Sequence, residues 1–169
     1  VLDGIYFNGD NMKDSIQNDR IIPTGKVLVI LRDAKTGKIK HEQLTDNMFV
    51  TAGKASLADA LRGTTSNNQG IITYCAVGTS TQAPDLTDTD LVAETFRKTI
   101  SVREVAANVA TFSTFFTTTE ANGTLREAGL FGDDASAIPG SGTLFCRAAI
   151  NRTKTTGDTL TIQWSVTIG

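Results

Sequence analysis

The sequence predicts a mainly β protein, an antiparallel β-sandwich with one short α-helix and an extended N-terminal arm. Three observations carry that expectation. In the closing segment Leu160, Ile162, Trp164, Val166 and Ile168 share one side, and Thr159, Thr161, Gln163, Ser165 and Thr167 share the other. A period of two held this long marks a half-buried antiparallel strand. Several earlier segments repeat the alternation between turn-forming residues, as the strands of a sandwich do. One stretch alone, near residues 52–62, has helical spacing. At 169 residues one domain buries roughly 70% of the surface its unfolded chain exposes, so it needs no disulfide framework or metal to fold. The chain therefore divides into an arm, 1–25, and a single sandwich domain, 26–169.

The arm is polar and without a sustained period. It contains the turn-prone Asn8-Gly9-Asp10 and closes on Pro23-Thr24-Gly25, a boundary signal. Ile5, Tyr6, Phe7, Ile21 and Ile22 need a surface to cover them, either the body or a neighbouring subunit. The alternative is an additional edge strand of the same domain. Lys26 to Arg32 is apolar on both faces, as in a buried strand. It turns at Asp33–Gly37 and returns as the more polar Lys38–Leu44. In the helix, Thr51 is placed to cap the start and Leu57, Ala58 and Leu61 form an apolar stripe. Gly63 sits where a left-handed C-cap belongs.

From Ile71 onward the pattern is strand. Ile71–Val77 precedes a loop, Gly78–Thr89. Glu94–Val105 alternates as one strand, with Phe96, Ile100 and Val102 on one face and Arg97, Thr99, Ser101 and Arg103 on the other. Ala106-Ala107-Asn108 reverses the chain, and Val109–Thr119 returns with Phe112 and Phe116 on one face. Leu144, Cys146, Ala148 and Ile150 alternate again ahead of the final strand. Threonine suits such faces, because a β-branched side chain with a hydroxyl fits a pleated surface that meets water or another protein.

Signals of chemistry are sparse. The formal net charge is -2, and Lys and Arg are scattered singly, which argues against a nucleic-acid partner. No apolar stretch is long enough to span a membrane as a helix. His41, the only histidine, lies in a polar, lysine-flanked strand and is expected to face solvent. Thr51-Ala52-Gly53-Lys54 lacks the first glycine and the hydroxyl residue of a phosphate loop, and a helix start is the better reading. Asp85, Asp88 and Asp90 cluster at a spacing that hard-cation sites use, and they are the weak metal candidates. A solvated acidic loop is the preferred reading, and no metal or cofactor is expected. Cys75 and Cys146 are expected as buried reduced thiols, with a bridge between neighbouring strands as the alternative. No residue is assigned a catalytic role, and the expectation is a protein that is not an enzyme.

The order of segments also carries a resemblance. A strand runs into a Gly-Thr loop at Ile72–Thr79, and an acidic, Thr-rich loop reaches Glu94-Thr95-Phe96-Arg97. Glu127-Ala128-Gly129-Leu130-Phe131 follows, then Phe145-Cys146-Arg147-Ala148 and a final alternating strand. Upstream, Asn47–Lys54 leads into the helix. Together these resemble the β-sandwich module of tail-fibre, collar-fibre and decoration proteins of tailed bacteriophages, over about four fifths of the chain.

The resemblance implies a small structural protein of the virion, a capsid decoration or cement protein in the first place. A tail, collar or fibre-attachment protein, or a receptor- or glycan-binding module, is the alternative. The stop at Gly169, without a fibre shaft, favours a stand-alone protein on the capsid surface. Its partners would be the major capsid protein or tail and collar proteins, and its own copies in a homo-oligomer, a trimer suiting three-fold positions. The residues expected at interfaces are Ile5, Tyr6, Phe7, Ile21 and Ile22 of the arm, and Thr159, Thr161, Gln163 and Thr167 of the last strand. Gly129 is expected to admit a close backbone or mark a bulge. Glu127 and Arg126 are expected to pair with Arg97 or Arg147 near the surface, where a pair contributes about 0–1 kcal/mol.

Overall fold

The computed structural model of the chain describes residues 22–63 and 70–169; the arm residues Ile5, Tyr6, Phe7 and Ile21 lie outside them. Among the described residues, ten strands form two antiparallel sheets of five, with one helix. In chain order the elements are β1 (Thr24–Asp33), β2 (Ile39–Asp46), β3 (Met48–Phe49), α1 (Thr51–Leu61), β4 (Ile72–Gly78) and β5 (Glu94–Thr99). They continue with β6 (Val102–Ala106), β7 (Val109–Phe116), β8 (Gly123–Gly132), β9 (Thr143–Lys154) and β10 (Asp158–Thr167). Sheet A runs β2-β1-β10-β7-β6 and sheet B runs β3-β9-β8-β4-β5. The expected sandwich is the observed one.

The core fills the space between the sheets. Sheet A supplies Val27, Val29 and Leu31 of β1, Phe116 of β7, and Leu160, Ile162, Trp164 and Val166 of β10. Sheet B answers with Cys75, Val77, Leu130, Phe145, Cys146, Ala148 and Ile150. The alternation in β10 thus places its apolar side in the core, with Trp164 fully buried. Ile168, beyond the strand, is half exposed instead.

Several expectations need correction. Glu94–Val105 is two strands rather than one. β5 pairs with β4 in sheet B and β6 pairs with β7 in sheet A, so the chain changes sheet at Ile100-Ser101. Ile100 stays in the core while Val102 faces out. In β9 the phase slips beside Phe145, where Leu130 pairs with Cys146 but Phe131 pairs with Leu144. Leu144 therefore belongs to a second apolar cluster, on the far side of sheet B from Cys146.

The helix also differs in detail. Val50 holds the N-cap position without a side-chain capping bond, and Thr51 is the first helical residue. Gly63 does adopt the left-handed conformation, at φ +75. The buried side of α1 is Gly53 and Ser56, not the Leu57-Ala58-Leu61 stripe. Gly53 lies so close to β9 that a Cβ there would stand 2.5 Å from Phe145 Cα. The helix is held by packing on that backbone; of its apolar stripe, Leu57 is half-buried against the core while Ala58 and Leu61 are exposed.

Cys75 and Cys146 are both buried and free. Each is paired across β8 with Leu130, which sets their backbones two strand spacings, about 10 Å, apart. A disulfide needs Cα atoms within about 7 Å, so the bridge is excluded by register. Burial pushes the Cys75 thiol up to about 12, with Trp164 and Thr114 offsetting part of the rise. Burial likewise raises Cys146.

Candidate functional site

The two outer faces of the sandwich are opposites. Sheet B is covered on its outer side as well as its inner one. Along its outer side, one row of paired residues reads Arg147, Gly129, Ala76, Arg97, and the next reads Ala149, Glu127, Gly78, Glu94. Gly129 and Ala76 in the first row and Gly78 in the second leave room for the 79–93 loop, whose Leu91 settles over Gly129. A Cβ on Gly129 would meet Leu144, Leu91 and Phe131 side chains at 2.9–3.1 Å. Side chains, rather than a backbone, claim the space at Gly129, and the phase slip falls one step later, between Leu130 and Phe131. Leu130 and Phe131 bury on opposite sides of the sheet.

The long charged residues of these rows, Arg147, Arg97, Glu127 and Glu94, pair under the loop. Arg147 has no exposed surface. Its guanidinium donates to Glu127 Oε2 at 2.9 and 3.2 Å, to Asp88 Oδ2 at 2.6 Å, and to the Gln82 carbonyl at 3.0 Å. Glu127 in turn accepts the backbone N–H groups of Val92 at 3.0 Å and Ala93 at 2.7 Å. Arg97 forks onto Glu94 at 2.5 and 2.6 Å, donates to the Ser141 carbonyl at 3.0 Å, and stacks 4.5 Å over the Phe131 ring. Of the anticipated pairs, Glu127 with Arg147 forms, beneath the loop rather than at the surface, whereas Arg97 takes Glu94 instead. Arg126 donates to Asn151 in an exposed position.

These bonds also decide the acidic loop. Asp85 accepts from the N–H and hydroxyl of Thr87, Asp88 faces Arg147, and Asp90 accepts the Leu91 N–H. Hydrogen bonds from Thr87 hold Asp85 below its ordinary carboxylate range. Burial raises Asp90, with Glu94 adding to the rise. The three carboxylates turn to separate partners. Among the described residues no group of three His, Cys, Asp or Glu side chains gathers to hold an ion. His41 is exposed on β2.

Among the described residues, sheet A has no such cover. Its outer side carries the half-buried Thr159, Thr161, Gln163, Ser165 and Thr167 of β10. The register extends that stripe across the sheet. One row reads Leu44, Leu28, Gln163, Ser113, Val102, and the next reads Glu42, Ile30, Thr161, Phe115. Leu44, Val102 and Phe115 are exposed, and Leu28 and Ile30 half-buried. The strand expected to be buried on both faces is thus fully buried on one, with its second apolar face only half-buried among the described residues. These apolar neighbours of the threonines were missed in the sequence. The available signal was that same two-faced β1, which among the described residues has no third layer to pack against.

No family model, curated protein or solved structure matches the chain. The open face, and the end of the sandwich beside α1, are consequently weighed on their chemistry alone. At that end Ile22, half exposed and donating its N–H to the Gly169 carbonyl at 2.8 Å, marks the point where the arm joins the body.

Proposed function

We propose that this chain is a non-enzymatic structural protein of a tailed-phage virion, in the first place a capsid decoration protein, that works by lying against neighbouring proteins. The observation that supports it best is the contrast between the two outer faces. One is closed by loops locked over buried ion pairs, and the other is a flat field of threonines and exposed apolar side chains. Such a field suits a partner surface, because it loses little on desolvation and its hydroxyls supply hydrogen bonds without charge. A tail, collar or fibre-attachment position would use the same face. The exposed Phe115 beside Thr161 gives a glycan-binding reading one specific observation of its own, since aromatic faces commonly stack on sugars.

Labelling of intact particles tests the proposal. A gold-tagged antibody against the chain is expected to decorate the capsid, and Thr161→Glu with Gln163→Glu to lower recovery on particles at least tenfold while leaving the fold intact. Label confined to the tail would move the protein to the alternative position. Absence from purified particles would reject the virion reading, and a positive glycan array would then support the third.

A further inference from the structure

Lys154 closes β9 opposite Gly123, the first residue of β8, and is only 1% exposed. Two other lysines reach the same end of the sandwich, Lys40 onto Asp158 and Lys98 onto Glu120, each in an ion pair. Lys154 faces a carboxamide instead, and its Nζ donates to Asn122 Oδ1 at 2.8 Å. Burial lowers its ammonium from the ordinary lysine range, against the opposing pull of Asp158 and Glu120. The neutral, nucleophilic amine is therefore easier to reach here than on an exposed lysine. The carboxamide is held from its own side of the gap. The Thr117 N–H donates to the Glu120 carboxylate at 2.8 Å and the Glu120 N–H to the Thr117 carbonyl at 3.2 Å, which closes a turn. Ala121, buried and left-handed at φ +51, anchors that turn. Asn122 then donates from Nδ2 to the Thr118 carbonyl at 2.9 Å. A nitrogen at hydrogen-bond distance from a carbonyl oxygen stands about 3–4 Å from the carbon, near the separation of a pair poised to react.

We propose that Lys154 and Asn122 join in an intramolecular isopeptide bond. The neutral Nζ adds to Cγ of Asn122 and the Cγ–Nδ2 bond breaks. Nδ2 takes one proton from Nζ and leaves as ammonia. One amide replaces another, so the step consumes no oxidant, reductant or energy source. Two features select this pair over the other lysines. Lys40 and Lys98 face carboxylates, which are not electrophiles, whereas the Asn122 carboxamide carries a group that can depart. Asn122 is also exposed, so ammonia leaves to solvent while the amine stays shielded from water. The product removes a buried ammonium and staples the first rung of the β8–β9 ladder. The rival nucleophile for the same carbon is the backbone nitrogen of Gly123, which would close a succinimide with the same loss of ammonia.

Mass spectrometry of the intact full chain tests the bond. The native protein is expected to read one ammonia below the mass of its sequence. Trypsin should then release residues 104–126 joined to residues 153–169, because an acylated Lys154 is no longer a cleavage site. Lys154→Arg and Asn122→Ala should each show the full mass of their own sequences. A native chain at full mass would overturn the proposal. Loss of ammonia that persists in Lys154→Arg, or that maps to residues 104–126 alone, would overturn it equally by assigning the chemistry to the succinimide. The first two readings use the parent chain, so a variant that fails to fold leaves the test standing.

Discussion

Arg147 shows what a single residue can decide in this fold. A guanidinium without exposed surface survives because Glu127, Asp88 and a loop carbonyl surround it. Removing it leaves two carboxylates without their counterion under the 79–93 loop, and breaking a buried pair from one side costs about 3–5 kcal/mol. Arg147→Ala should lower stability to urea by that amount, whereas Arg126→Ala, only half-buried on the neighbouring strand, should stay within about 0.5 kcal/mol. Equal losses would mean that the buried pairing contributes nothing special. The partners were legible in the sequence as charges near the Glu127 and Arg147 segments. Their burial was not, because it depends on a loop that has no periodicity and is placed by the pairs themselves.

At the scale of elements, the edge strand β2 is exposed along most of its length and is tied to the rest of sheet A partly by Lys40. The Lys40 ammonium lies 2.5 Å from Asp158, whose side chain is 1% exposed at the start of β10. That hydrogen bond, helped by Thr155, depresses the Asp158 carboxyl from 3.8 to about 2. A carboxylate depressed in the folded state stabilises it above the unfolded value, and the contribution disappears as pH falls through the folded one. Asp158→Asn should therefore lower the urea midpoint at pH 6, and the difference from the parent should close between pH 4 and pH 2. A difference independent of pH would assign the effect to packing instead.

Elements were legible where a period persisted, as in β10, and illegible where tertiary geometry interrupted it. The passage from β5 to β6 keeps its alternation through Ile100-Ser101 while changing sheets. The slip beside Phe145 moves Leu144 to the other side with no mark in the sequence. The stripe on α1 was read as apolar, but spacing could not say that Gly53 and Ser56 would be the buried side and Leu61 exposed, because that depends on which side a neighbouring strand claims.

For the whole molecule, the core between the sheets is closed to reagents. Cys75 and Cys146 lie in it with no exposed surface, and burial holds both thiols well above the usual range. A disulfide-exchange reagent at pH 8 should modify neither in the native protein. Both should react along a denaturant curve that coincides with the fluorescence of Trp164, the only tryptophan, which abuts the same core. Thiols reacting ahead of that curve would mean that the sheets part before the protein unfolds.

The β1–β10 ladder also has a mechanical consequence. The two strands pair antiparallel from Thr24 with Thr167 to Asp33 with Asp158, so Ile22 and Gly169 emerge side by side at one end. A load applied between those two points would meet the hydrogen bonds one at a time and peel the centre of sheet A open like a zipper. A load that enters through the flat outer side of the same sheet would spread over every rung at once. Against tension, the β1–β10 pairing is weak when pulled between Ile22 and Gly169 and strong when loaded through the face of the sheet.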